Sequence, residues 1–373
     1  VAIGSGGINP CVSAHVGDQF GRSNWHRLEA MYQAFFFIIN FGSFFATLII
    51  PWLRATFGWS EAFAVPGVLM AVATLFFWLG RHRFIHVPPA PGGRLGLLDF
   101  IIGTCLFVAL GGALFIEAVG LVPVLWASGL ALVILPFVYR ARQRIEQDDG
   151  FFAVLFTAMH AHWKGLNHAA IREGYGQRVP RFFAAAEKKL GFDAVEAHVA
   201  LWRIMSIFIF VSMFWALFDQ HGSSWVIQAK QMNLQLGFMT AEPDQIQSLN
   251  PAMVMILIPV TGLVIRALRR RGMKVSPLSR MTFGMLLTAT SFVAAALVQA
   301  SIDRVGEGQV SVAWQLIQYF LLTLSEVLVS ITGLEFSYTQ APNRVKSTGM
   351  GLWLLTVALG NIYVGWFSGL AKT

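Results

Sequence analysis

Long runs of apolar residues, separated by short polar connections, follow one another along almost the whole chain. A helix needs about 20 apolar residues to cross the hydrocarbon core of a bilayer. Nine runs qualify, at residues 34–53, 62–80, 97–118, 119–139, 201–218, 251–268, 282–300, 312–336 and 348–369, and residues 1–16 look like the remainder of a tenth. A membrane β-barrel would instead show short alternating segments. The pattern predicts an all-α, polytopic membrane protein.

Composition supports this interpretation and excludes several other classes of protein. Of the 373 residues, 56% are hydrophobic and 12% are charged, and the mean hydropathy is +0.62. A soluble globular protein carries about 25% charged residues. The same numbers exclude an intrinsically disordered chain, a collagen and a disulfide-rich secreted domain. Cys11 and Cys105 lie far apart and fit neither a disulfide framework nor a metal site.

The charge pattern predicts the orientation in the membrane. The net charge is +8, but the basic residues lie between apolar runs, so topology explains them better than nucleic-acid binding. When alternate connections are assigned to alternate sides, all 27 lysines and arginines fall on one side except Arg54, Lys230, Arg304 and Lys372. The positive-inside rule makes the basic side cytoplasmic. We expect a multi-pass protein of the inner (cytoplasmic) membrane, with the lipid bilayer as partner and no nucleic acid.

A long polar connection on the cytoplasmic side divides the runs into two groups. Within it, residues 181–201 have apolar positions at helical spacing, with Glu187 and two lysines on another face, and predict an amphipathic helix along the membrane surface. Three histidines, His160, His162 and His168, also lie in this connection. Because no acidic residue or cysteine shares their spacing, a solvated or interfacial face is favoured over a metal site.

Two acidic residues inside apolar runs are candidate functional residues, because charges are costly within a membrane. Asp219 lies in FWALFDQHGSSW and Glu326 in LSEVLVSITGLEFSY. Trp215 is four residues before Asp219, hence on the same helix face, where an aromatic wall beside a carboxylate suits an organic cation or a peptide amine. The alternative remains open that Trp215 is packing and that Asp219 pairs with a basic residue of another helix.

Other polar residues in or at the apolar runs allow two interpretations. Asn40 and Asn250 can either join helices by hydrogen bonds or contact a substrate. The chain contains no HExxH, GxSxG, P-loop or zinc-type Cys/His spacing, so no catalytic residue, metal or cofactor is expected. The residues alone therefore predict a helical membrane protein with a polar, aromatic-lined path, which is typical of a transporter.

These same residues resemble the motifs of the proton-dependent oligopeptide transporter (peptide transporter) family of the major facilitator superfamily. In family order, the blocks are GSGGINPCVSAHVGDQF (4–20, helix 4), FFFIINFGS (35–43, helix 5), FWALFDQHGSSWV (214–226, helix 7), QSLNP (247–251, helix 8) and SEVLVSITGLEFSYTQAP (325–342, helix 10). The resemblance implies two helical bundles that rock around a central site. It also implies a partial chain that runs from helix 4 to helix 11.

The resemblance implies a division of the chain into four parts. They are residues 1–83 (end of the N-terminal bundle), 84–144 (two inserted transmembrane helices of the bacterial type), 145–200 (a cytoplasmic loop with the amphipathic helix) and 201–373 (the C-terminal bundle).

The resemblance also implies roles for individual residues. Glu326 corresponds to the glutamate that binds the peptide amino terminus, and Asn40 and Asn250 to asparagines that help to hold the amine. Trp215 and Trp353 correspond to pocket tryptophans. Asp219 corresponds to a protonatable acid, and Glu326 is expected to share its role in proton coupling.

Two residues depart from the family pattern. Asn9 stands where the family usually has a lysine that helps to bind the peptide carboxylate, and Phe36 stands where it usually has a tyrosine. Both positions remain candidate substrate-binding residues.

The leading hypothesis is proton-coupled symport of di- and tripeptides, with small peptides and protons as partners. The alternative, motivated by Asn9 and Phe36, is a uniporter or a carrier of another substrate, such as a drug or a modified amino acid. A non-transporting receptor or a membrane enzyme is the third class, and the missing catalytic motifs argue against the enzyme.

Overall fold

The computed structural model describes residues 11–21, 23–88, 92–146, 149–236, 239–240 and 242–370. Within these residues, 9 helical segments are long and apolar enough to cross a membrane, and each overlaps one of the predicted runs. The prediction of an all-α, multi-pass membrane protein is confirmed. Two strands of two residues, β1 (Gln235–Leu236) and β2 (Met239–Thr240), pair antiparallel with Leu236 opposite Met239.

The helices are named in chain order. They are α1 (residues 11–18), α2 (Leu28–Phe57), α3 (Trp59–Gly80), α4 (Gly93–Gly111), α5 (Ile116–Val119), α6 (Leu121–Ile145), α7 (Phe151–Trp163), α8 (Leu166–Arg172), α9 (Ala184–Leu190), α10 (Phe192–Phe218), α11 (Ser224–Lys230), α12 (Leu249–Arg270), α13 (Pro277–Val305), α14 (Gln315–Gln340) and α15 (Lys346–Leu370).

The chain divides into two compact units, of which the first combines Val1–Ile85 with Trp202–Thr373. Helix α14 forms its centre, because it packs against α12, α13, α15 and α2 and is the most buried of the candidate spans. Helix α3 lies at the periphery, and its apolar side chains are almost all exposed, as expected of a helix whose surroundings are lipid rather than water. The unit thus places polar residues of α14 away from the apolar periphery.

The second unit, His86–Leu201, contains the long helices α4 and α6, the short helices α5, α7, α8 and α9, and the first residues of α10. Helices α4 and α6 pack along each other, and Arg142 Nε of α6 lies 3.1 Å from Asp99 Oδ1 of α4. Helices α7, α8 and α9 pack together around small side chains, among them Val154 and Ala158 of α7.

The predicted amphipathic helix over residues 181–201 is interrupted. A 3₁₀ turn, Arg181–Phe183, leads into α9, which ends at Leu190. Gly191 has a φ of 90°, a left-handed conformation that favours glycine and stops the helix. The chain then restarts as α10, so residues 192–200 belong to a membrane-spanning helix. The boundaries of the four predicted parts stay predictions.

Candidate functional site

A buried carboxylate lies near the middle of α14. Glu326 is 5% exposed, and its Oε2 accepts a hydrogen bond from Asn250 Nδ2 of α12 at 2.7 Å. The same amide donates to Thr323 Oγ1 at 3.2 Å. Among the described residues, no Lys, Arg or His forms an ion pair with Glu326. Because an uncompensated carboxylate is costly in an apolar environment, this group is suited to take up a proton or a cationic ligand.

Two tryptophans, one from α10 and one from α15, form an aromatic pair. The ring centroids of Trp215 and Trp353 are 6.0 Å apart, at an interplanar angle of 73°. Trp353 lies against Gly333 of α14, where a Cβ would clash with the indole ring, so the glycine makes room for it. The indole N–H of Trp215 is buried and donates to none of the described residues. An aromatic wall with a free N–H donor can bind a ligand that carries a carbonyl or carboxylate oxygen.

Asp219 lies at the end of α10, where a 3₁₀ turn, Asp219–Gly222, begins. Its Oδ2 accepts a hydrogen bond from Asn361 Nδ2 of α15 at 2.8 Å. The alternative interpretation was that Asp219 pairs with a basic residue of another helix. Within the described part of the chain, the amide of Asn361 is the partner instead. Together with the Trp215–Trp353 contact, this hydrogen bond joins the last turns of α10 to α15.

The remaining predicted residues are less directly connected. Asn40 and Phe36 of α2 are both buried, at 6% and 9% exposure. The Asn40 amide donates to the carbonyl oxygen of Phe36 at 3.0 Å, within its own helix. Hydrogen bonds thus join Asn250 to Glu326, whereas Asn40 is not joined to either of them in the described structure. Asn9 lies outside the described residues.

The described residues contain no group of three or more His, Cys, Asp or Glu side chains that could hold a metal ion. His160 and His162 lie on α7, and His168 lies on α8.

A charged cluster at the basic end of the first unit was missed by the sequence analysis. Arg280 NH1 of α13 lies 2.9 Å from Glu29 Oε1 of α2, and Arg280 NH2 lies 3.3 Å from Glu335 Oε2 of α14. Arg269 NH1 of α12 lies 3.4 Å from Glu29 Oε2. The sequence signal was a set of charges at the basic ends of predicted spans, but the pairing of Glu29 with Arg280 and Arg269 joins residues more than 200 positions apart.

Aromatic and polar contacts beside this cluster connect the same ends of the helices. Tyr338 of α14 donates a hydrogen bond to Asp18 Oδ1 at 2.8 Å, and its ring lies beside that of Tyr32 of α2. Lys346 Nζ of α15 lies 4.0 Å from the centroid of the Tyr338 ring. Residues near both ends of the chain therefore meet at this end of the first unit.

Comparison with known proteins identifies similar sequences over nearly the whole chain. The family model PTR2, described as the POT family, matches residues 1–107 and 159–373. Human solute carrier family 15 member 2 is 32% identical over 342 residues, which cover 90% of this chain and 39% of that protein. The rabbit solute carrier family 15 member 1 is 29% identical over 313 residues, which cover 82% of this chain and 36% of that protein. This chain therefore spans less than half the length of these relatives.

Solved structures are similar in fold. The POT family transporter PepTSo is 36% identical, with a TM-score of 0.65, and the match covers 100% of this chain and 69% of that one. A structure described as an auto inhibited POT family peptide transporter is 33% identical, with a TM-score of 0.64, and the match covers 100% of this chain and 68% of that one.

Proposed function

Because this chain belongs to the POT family, we propose that the protein carries out proton-coupled symport of di- and tripeptides across the cytoplasmic membrane. The relatives supply the class of substrate, since one similar structure is described as a peptide transporter. A small peptide offers an ammonium group, a carboxylate and side chains of varied shape. The candidate site offers a carboxylate, amides and an aromatic wall for them.

The single observation that carries the proposal is the environment of Glu326. Its carboxylate is buried against an amide and faces no cationic partner in the described structure. A peptide ammonium that enters this site supplies the missing positive charge, and a proton supplies it when the peptide is absent. The ammonium displaces the proton from Glu326, so symport requires that a second acid, for which Asp219 is proposed, carries a proton in the same direction as the peptide.

In the proposed alternating-access mechanism, the Arg280 cluster and the Tyr338–Asp18 contact act as the closure of the cytoplasmic end. Peptide release into the cytoplasm requires that the Arg280 cluster and the Tyr338–Asp18 hydrogen bond open. Ligand binding shifts this equilibrium only if the open and closed states bind the peptide and the proton with different free energies. Asp219, at the end of α10, is proposed to respond to protonation and to change its hydrogen bond to Asn361.

A second candidate is uniport, or transport of another substrate, and the side chain of Phe36 favours it. This residue is buried on α2 without a hydroxyl group, so it offers no hydrogen bond to a peptide carboxylate or to a proton path. A substrate without a free carboxylate would not need such a hydrogen bond, so the missing hydroxyl group would not weaken its binding.

Uptake of a radiolabelled dipeptide by the full-length protein in liposomes tests the proposal. We expect accumulation with an inward proton gradient and equilibration without it. Asp219→Asn should abolish accumulation but retain peptide exchange, whereas the exposed Glu307→Gln serves as a control that retains both. Equilibration that ignores the gradient in the wild-type protein would favour uniport. An absence of any peptide flux would overturn the proposal.

A further inference from the structure

Helix α7 is apolar on both faces although it lies outside the membrane-spanning segments. One face carries Val154 and Ala158, which are fully buried against the other short helices. The opposite face carries an exposed stripe that consists of Phe152, Phe156, Met159 and Trp163. Their exposures are 50%, 62%, 43% and 87%. An exposed apolar stripe opposite the buried face favours a second apolar environment besides the helix's own core.

The spacing of the stripe places its four side chains on one side of the helix. Successive members are four, three and four residues apart, which is the repeat of a single helical face. With its bounds at Phe151 and Trp163, α7 has 13 residues. At about 1.5 Å per residue, it is roughly 20 Å long and too short to span a hydrocarbon core of about 30 Å. A helix of this length and composition is typical of an interfacial segment.

A groove with a basic rim adjoins the stripe. This cavity of about 630 Å³ lies between α7, α8 and α9 and is lined by alanines together with Phe156 and Leu166. Lys188, Lys189 and His160 contribute its polar groups. Lys188 forms an ion pair with Glu173, whereas Lys189 forms none with the described residues. The cavity therefore combines an apolar floor with positive charge at its edge.

The chain holds this face close to the membrane. Residues 146–150 alone separate α6 from α7, and Gly191 alone separates α9 from α10. Both α6 and α10 belong to candidate membrane spans. A third basic residue, Lys164, directly follows Trp163 at the end of α7 and is exposed. The short connections keep the stripe and these lysines on the side of the membrane at which α6 ends and α10 begins.

We propose that the α7 stripe and the adjoining groove form a binding surface for anionic phospholipids of the cytoplasmic leaflet. The aromatic side chains enter the boundary between headgroups and acyl chains, as amphipathic interfacial helices do. Lys164 and Lys189 contact lipid phosphates at the rim, and an acyl chain occupies the alanine-lined floor. The surface anchors α7, α8 and α9 to the membrane independently of transport.

A fluorescent label on the stripe tests this proposal in the full-length protein. Its native cysteines are replaced, and NBD is attached at Met159→Cys or, as a control, at Gln177→Cys, an exposed polar position of the same unit. Both variants are placed in nanodiscs with or without anionic phospholipid. We expect lipid-attached doxyl groups to quench NBD at position 159 but not at position 177. Aqueous iodide should quench NBD at position 177 but not at position 159.

Charge variants test the preference for anionic lipid. One lysine near an anionic surface contributes about 1 kcal/mol to membrane binding. Lys164→Gln or Lys189→Gln should therefore lower about fivefold the docked-to-undocked ratio, which compares molecules whose NBD label at position 159 lies in the membrane with molecules whose label lies in water. Both side chains are exposed, so the substitutions leave the core of the unit intact. If the docked-to-undocked ratio were the same in nanodiscs of phosphatidylcholine alone as in nanodiscs with anionic phospholipid, the anionic preference would be overturned. Quenching of position 159 by iodide, or protection from both quenchers by a protein segment, would overturn the membrane contact.

Discussion

Two carboxylates on the same helix have opposite environments. Glu326 and Glu335 lie nine residues apart on α14, so at 100° per residue they point to opposite faces. Glu326 is buried against the Asn250 amide of α12. Glu335 is 19% exposed and is bound by Arg280 of α13. The two residues are of the same type on the same helix, so the difference in environment comes from the residues that surround each of them.

From this difference we propose different functions for the two carboxylates. A carboxylate paired with an arginine is already compensated, so its contribution is a contact that holds helices together. A carboxylate that lacks a cation in the described structure remains available, and it gains most from a proton or from a ligand with positive charge. Changes at Arg280 should therefore affect the closed conformation, whereas changes at Glu326 should affect binding and coupling.

The largest expected effect is that of Arg280→Met. It leaves Glu29 and Glu335 without their shared partner, and removal of one member of a buried ion pair costs about 3–5 kcal/mol. Because Glu29 is 26% exposed, we expect the lower end of that range. Thermal unfolding in detergent should show a lower midpoint. Arg270→Met, an exposed arginine at the same end of the molecule, is the matched control. An unchanged midpoint would show that the cluster does not hold the closed end.

The next effect is that of Glu326→Gln on peptide affinity. A hydrogen bond to a charged group contributes about 1.5–3 kcal/mol, so the Kd for a dipeptide should rise roughly 10- to 100-fold. A dipeptide with an acetylated amino terminus should bind wild type and variant equally, because it carries no ammonium group. Titration with both ligands makes this comparison. If the variant lost affinity for both peptides equally, Glu326 would not be the amine-binding group.

The smallest effect is that of Gly333→Ala, which probes the tryptophan pair. The added Cβ would clash with the Trp353 ring, so the indole must shift and its contact with Trp215 must loosen. Overpacking of this kind costs about 1–3 kcal/mol. We expect altered preference among dipeptides with large side chains and little change in proton dependence. Gly351→Ala, where a Cβ meets open space, is the control. If the two variants had the same preference among dipeptides, Trp353 would not be part of the peptide-binding pocket.

Much of the fold could be predicted because the membrane restricts what a sequence can form. Apolar runs of sufficient length must become helices in lipid. The orientation that the basic residues indicate stays a prediction. The helix break at Gly191 escaped prediction because the helical period of apolar residues continues through it. The apolar face of α7 escaped as well, since its run is too short to suggest a span.

The candidate site was predicted in its residues but not in its pairings. Acidic residues within spans indicated Glu326 and Asp219. Their partners, Asn250 and Asn361, come from helices far away in the chain, and only packing brings them together. For Asn40 the sequence suggested a link between helices or a substrate contact, but its amide donates to the carbonyl oxygen of Phe36 in its own helix. The roles assigned to these residues stay predictions until transport is measured.

The position of both carboxylates on one unbroken helix has a mechanical consequence. Helix α14 runs from Gln315 to Gln340 as one continuous helix without a proline, so it connects the two sites as a rod. One side of the rod bears on α12 through Glu326 and the opposite side bears on α13 through Glu335. Under the proposed function, a ligand that draws α14 toward α12 at Glu326 would also strain the ion pair between Glu335 and Arg280, so binding at one end of the helix is felt at the other.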